Sequence, residues 1–182
     1  MSYPIVETSE EKMGKAIERF QNELNGVRTG MANANMLNKV MVDYYGSPTP
    51  LNQIAGITVQ EGRTLVIKPY DANSLKDIEK ACNVADLGIA PVNDGAVIRL
   101  TVPQLTGETR KEMTKQVSKL AEDAKVQVRN IRRDAMQTIK KEKDVDEDIQ
   151  KDQENEIQKL TDKYTKQIDE MAKAKNDEVL KV

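Results

Sequence analysis

The sequence predicts an α+β fold, an elongated bundle of three helices with a small, strand-rich α/β unit inserted after the first. Three observations predict it. Apolar residues recur at spacings of three and four near both ends of the 182-residue chain. Between those stretches the texture changes to alternation, punctuated by proline and glycine. Each helical stretch is too polar to stand alone, so the three must bury their stripes against one another.

The first helix is predicted from Thr8 to about Arg28, with Met13, Ile17, Phe20, Leu24 and Val27 on one stripe. Thr8 and Glu11 fit a capping box, and Gly30 fits a stop. The segment KVMVDYY then alternates Val40, Val42 and Tyr44 against Met41, Asp43 and Tyr45, as a strand does. YGSPTP reads as a turn, and ITVQEGRTLVIKPYD as two strands about Glu61-Gly62. A helix follows, capped by Asn73 or Ser74, with Leu75, Ile78, Cys82 and Ala85 on its apolar face and Gly88 at its end. The strand AVIRLTV closes the unit.

From Thr106 to about Lys143 a helix of roughly 55 Å is expected at 1.5 Å per residue. Its stripe is Met113, Val117, Leu120, Ala124, Val128, Ile131, Ala135 and Ile139. After a break at KDVDED, with Asp146 as N-cap, the last helix carries Ile157, Leu160, Tyr164, Ile168, Met171 and Val179. The expected domains are residues 1–30 with 105–182 as the bundle, and 31–104 as the insert. The chain crosses between them at Thr29-Gly30 and at Pro103-Gln104-Leu105, a pattern that suggests a hinge at Gly30, Pro103, Gln104 and Leu105.

Composition narrows the function. The chain has no histidine, which removes the usual general base near neutral pH and the usual nitrogen metal ligand. The single cysteine, Cys82, rules out an intramolecular disulfide and any multi-cysteine zinc site, and reads as a buried, inert thiol. DVDEDIQKDQENE imitates a calcium loop but places Ile149 where glycine is needed and Asn155 where glutamate is needed. No phosphate-cradling glycine loop and no nucleophile–base pair is present, so neither enzyme activity nor a cofactor or metal is expected. With no signal-peptide pattern and no membrane-length apolar run, a cytoplasmic protein with no membrane partner is expected. Aromatics are few, and the tyrosines Tyr44 and Tyr45 read as half-buried strand packing.

The net charge of -2 conceals a polarised helix pair. From Arg110 to Arg133 eight basic residues stand against three acidic ones, and from Asp134 to Glu156 four stand against nine. Projected at 100° per residue, Lys111, Lys115, Arg129, Arg133 and Lys140 share an arc, flanked by Lys119, Lys125 and Arg132. The arginines are therefore expected to point away from the bundle core. Three readings are open at this point: a solvated face with i,i+4 ion pairs, neutralisation by the acidic stretch, or a phosphate-binding face. A protein-binding adaptor, whose charges serve only solubility, is also compatible with the pattern.

VRTGMANANMLNKVMVDYYGSPTPLNQIAGITV, ADLGIAP, LTGETRKEMTK and VRNIRRDA resemble ribosome recycling factor, and the similarity runs through essentially the whole chain. The resemblance implies an L-shaped, tRNA-sized monomer that binds the post-termination ribosome between the subunits, chiefly on large-subunit ribosomal RNA. It further implies that, with elongation factor G and GTP hydrolysis by that factor, the ribosome splits into subunits. On this resemblance Arg129, Arg132 and Arg133 match the arginines of the RNA-facing helix, and Arg110 and Arg28 match two further basic positions. Met31 and Thr109 stand where the family usually has arginine, which removes two basic charges near the hinge end of the bundle.

Overall fold

The computed structural model describes residues 2–181, and its backbone divides into two compact units. One joins the chain up to Val27 with that from Lys111 onward, and the other spans Arg28–Arg110.

Three helices make the first unit: α1 (Pro4–Asn25), α4 (Gly107–Lys141, whose first turn lies in the other unit) and α5 (Glu147–Leu180). At 35 residues, α4 is about 52 Å long. Because α4 and α5 are joined by a short turn, they run antiparallel. Tyr3 bonds Asp152 and Glu10 faces Lys163, so α1 runs parallel to α5. The apolar stripes meet as expected: Met13, Phe20 and Leu24 of α1, Val117, Val128 and Ile139 of α4, and Ile157, Ile168 and Val179 of α5 are all buried. Near the α4–α5 turn, Val6, Ala135, Ile139 and Ile157 close one layer of this core across all three helices.

The start of α1 corrects the expectation. The helix begins at Pro4 after Tyr3, not at a capping box on Thr8. Proline's fixed φ and missing N–H suit the first helical position. Thr8 is already inside the helix, and its hydroxyl donates back to the Pro4 carbonyl at 2.9 Å. The helix also ends earlier, with Gly26 rather than Gly30 as its cap. Asp146 does precede α5, but its side chain makes no capping bond.

The second unit holds a hairpin of β1 (Met41–Tyr44) and β2 (Ser47–Pro50), then a single helical turn, α2 (Leu51–Ile54). An antiparallel sheet follows, made of β3 (Ala55–Gln60), β4 (Thr64–Pro69), β5 (Val92–Asn93) and β6 (Ile98–Thr101) in the order β3-β4-β6-β5. Leu65 and Ile67 stand opposite Leu100 and Ile98, so the four share the inward face. α3 (Leu75–Val84) covers that face with Leu75, Ile78 and Cys82, and Val40 and Val42 complete the core.

Here too the caps differ from the sequence pattern. Ser74 precedes α3, but the polar capping comes from Asp71, whose carboxylate accepts from Asn73 N–H at 3.0 Å. α3 stops at Val84, four residues before Gly88, and Asp86 takes the left-handed conformation at φ 48°. Tyr44 is half-buried as expected, whereas Tyr45 is 79% exposed at the hairpin tip and donates to Asp71 at 2.8 Å.

Both chain crossings lie against the β3–β4 turn. Ala32 N–H donates to the Gly62 carbonyl at 2.9 Å, and Val102 N–H to the Arg63 carbonyl at 2.8 Å. Gly62 (φ 70°) gives the turn its left-handed geometry without Cβ strain. Gly30, also at φ 70°, packs against the outgoing chain: a Cβ there would meet Leu105 Cγ at 3.4 Å.

Candidate nucleic-acid interface

The amphipathic period that buries Val128, Ala135 and Ile139 forces Arg129 and Arg133 outward, and both are exposed. Among the described residues Arg129 forms no ion pair, and Arg133 has only a loose one to Asp134 at 3.8 Å, with both side chains about two-thirds exposed. Such a pair contributes little and leaves the guanidinium available.

Arg132 behaves otherwise than the projection indicates. It is half-buried at the α4–α5 seam, and its Nε donates to Oε1 of Gln158 at 2.7 Å. A residue flanking the polar arc of one helix lies against the next helix once the bundle forms. Only its far end, Nη1 and Nη2, is without a protein acceptor among the described residues.

Lys125 is a second correction. Its Nζ lies 2.5 Å from Asp169 and 3.6 Å from Glu122, and only 18% of the side chain is exposed. The hydrogen bond that its ammonium donates to Asp169 raises its pKa above the ordinary lysine value, so it stays charged but is spent within the fold. The neutralising acid comes from α5 opposite, not from the acidic stretch 134–156.

Two open grooves result. One, of about 480 Å³, runs between α4 and α5 and is lined by Lys125, Arg129 and Arg132 on one wall and by Gln158, Asp162 and Asp169 on the other. The next, of about 350 Å³, is shaped by Arg132, Arg133, Met136, Gln137, Lys140 and Glu154. Arg132 borders both. The arrangement suits anionic oxygens approaching along α4, because arginine forks pair bidentately with phosphate. Among the described residues no group of three acids or cysteines is placed to hold a metal ion, and no helix is long and apolar enough to cross a membrane.

Arg28 and Arg110 line neither groove. Arg28 is exposed, while Arg110 is half-buried with an Nε that has no partner among the described residues. Gln158 was not among the residues the sequence pointed to. Nothing in the local pattern of α5 marks it, as its role depends on which residue of α4 it faces.

A family profile described as ribosome recycling factor matches residues 20–180. A ribosome-recycling factor of Lactobacillus gasseri is 50% identical over 182 residues, covering 98% of each chain. That of Caldicellulosiruptor saccharolyticus is 54% identical, covering 97% of this chain and 98% of its own. A solution structure of the ribosome recycling factor superposes with a TM-score of 0.86 at 39% identity, covering 98% of this chain and 96% of that one. A second match, at TM-score 0.66 and 41% identity over 97% of both chains, is the T. thermophilus factor, described with E. coli elongation factor G bound to the E. coli post-termination complex. On sequence and fold together, the chain belongs to the ribosome recycling factor family.

Proposed function

We propose that this chain binds the post-termination ribosome between its subunits. With elongation factor G and GTP, it promotes dissociation into subunits and so frees ribosomes from mRNA for another round. The chain supplies no chemistry of its own in this reading: it acts in the cytoplasm as a monomer, and the GTP is hydrolysed by the elongation factor. The observation that carries the reading is the run of Arg129, Arg132 and Arg133 along one open flank of α4, in a chain of this family.

Ribosomal RNA phosphates are the partners those guanidinium groups fit. Phosphate contact is sequence-independent and positions a protein on its nucleic acid, which is what a factor reading ribosome shape requires. Arg110 and Arg28 add positive charge nearer the crossings. The hinge role falls to Gly30, Pro103, Gln104 and Leu105. Support for it comes from their place in the chain, between Ala32 and Val102, which are pinned to the β3–β4 turn, and the first unit, which ends at Val27 and resumes at Lys111.

The test is sedimentation of post-termination ribosomes through sucrose with this protein, elongation factor G and GTP. Conversion of the ribosome peak into two subunit peaks is expected. Intact ribosomes under conditions where another family member splits them would overturn the reading.

A further inference from the structure

We propose that Gln158 is a positioning residue for RNA binding, holding the Arg132 guanidinium so that its outer fork faces the phosphate. This rests on the reading of Arg132 as a phosphate ligand.

The hydrogen bonds form a directed chain. Gln158 Nε2 donates to Oδ1 of Asp162 at 2.9 Å, one turn along α5. That carboxylate can only accept, so it fixes which way the amide faces and turns Oε1 towards α4. Oε1 then accepts from Arg132 Nε at 2.7 Å. With Nε occupied, the two Nη groups remain as the pair of donors that matches two phosphate oxygens.

The chemistry of the acceptor matters as much as its place. In the same groove, Asp169 pairs directly with Lys125 and spends its charge. Gln158 is neutral, so it holds Arg132 still while leaving its full charge for the RNA. Asp162 is linked to the arginine by hydrogen bonds through the intervening amide and forms no ion pair with it among the described residues. A long side chain fixed before binding loses less freedom when the phosphate arrives. Arg129, without such a partner among the described residues, must be ordered at the moment of contact.

The experiment measures affinity for isolated large ribosomal subunits across a potassium chloride series, in a double-mutant cycle. Gln158→Met keeps the length and removes the acceptor. It is expected to weaken binding about three- to tenfold, the range for losing one hydrogen bond. Because no charge is removed, the salt slope should stay the same, whereas Arg132→Ala should lower it by up to about one unit. In the Arg132→Ala background Gln158→Met should cost nothing further. An equal loss in both backgrounds, or no loss in the unaltered protein, overturns the positioning role while leaving Arg132 as a ligand. Unchanged affinity and slope in Arg132→Ala alone removes the phosphate reading, and this inference with it. A measurement on the unaltered protein stands even if Gln158→Met folds poorly. The Arg132 Nε–H should exchange with solvent more slowly in nuclear magnetic resonance spectra than the Arg129 Nε–H. Equal rates would overturn the proposal.

Discussion

Lys125 on α4 and Asp169 on α5 meet at 2.5 Å, the shorter of the lysine's two ion-pair contacts. The pair ties a lysine of the basic flank to the neighbouring helix, and so sets how many charges the flank can offer.

Asp169→Asn is therefore predicted to raise ribosome affinity and steepen its salt dependence by up to about one unit, because a cation is released towards the groove. Glu170→Gln removes the same charge one residue on, where the carboxylate meets Lys166 only at 4.0 Å, and should do much less. The stability cost of Asp169→Asn should be small, about 0.5 kcal/mol, because the aspartate is 60% exposed and solvent screens the pair. The raised lysine pKa fixes the pH window. The pair's contribution is complete below the unfolded lysine value of about 10.4 and is lost as pH rises through the higher folded value. Urea melts of the two proteins should therefore differ at pH 7 and converge in strong alkali.

Burial pushes the Cys82 thiol up to about 11, with Glu79 adding a smaller push. Thiol reagents at neutral pH should label the folded protein only as fast as it opens. A raised folded pKa also makes stability fall with pH. Between the unfolded value near 8.5 and about 11, only the unfolded chain releases the proton, at about 1.4 kcal/mol per pH unit. Denaturant titrations at pH 8 and 10 should show a steeper decline for the unaltered protein than for Cys82→Ala, which lacks the group. Parallel declines would place the thiol in contact with water.

The helices were legible because Val117, Ala124, Val128, Ala135 and Ile139 repeat a local period that directly sets which face is buried. The β3–β4 pair was legible for the same reason, with Leu65 and Ile67 alternating beyond a turn at Glu61-Gly62. The strands β2 and β5 were not: the prolines of YGSPTP read as a turn, yet Ser47–Pro50 pairs with Met41–Tyr44, and Val92–Asn93 is too short to show a period. Interhelical register was not. Arg132 and Gln158 are separated by 26 positions, and Lys125 and Asp169 by 44, and no local pattern says which residue of α5 faces which residue of α4. A helical projection of one helix assigns everything off the apolar stripe to solvent. That is right for Arg129 and Arg133 and wrong for Arg132 and Lys125, which flank the seam. The early start of α1 did have a signal, since Pro4 favours the first turn, but the stronger-looking pair Thr8 and Glu11 masked it.

Gly30 joins a left-handed backbone, at φ 70°, to close packing against Leu105. Gly30→Ala is predicted to destabilise the second unit by about 1–2 kcal/mol from the conformation alone. Gly62→Ala shares the positive φ, but its Cβ would point into open space, so any excess loss at Gly30 measures the contact with Leu105. Chemical denaturation followed by circular dichroism resolves the comparison, and equal losses would mean that Leu105 moves aside freely.

The last prediction separates the three arginines from one another. Arg129 and Arg133 are exposed and bonded to little, so replacing either by alanine should change stability by less than about 0.5 kcal/mol. Arg132→Ala also removes the bond to Gln158 and should cost about 1 kcal/mol in urea denaturation. On large ribosomal subunits the order should again favour Arg132, with a loss on the order of 1–3 kcal/mol for a charge-assisted contact. Arg132→Lys should recover only part of that, because an ammonium group offers no planar fork and cannot use the Gln158 acceptor and two phosphate oxygens in the same geometry. Lys173→Ala, at an exposed lysine of α5, is the control and should leave binding unchanged. Equal losses at Arg132 and Lys173 would mean that RNA responds to diffuse charge over the bundle rather than to a site on α4. No loss at any of the three arginines would return them to a solvated face.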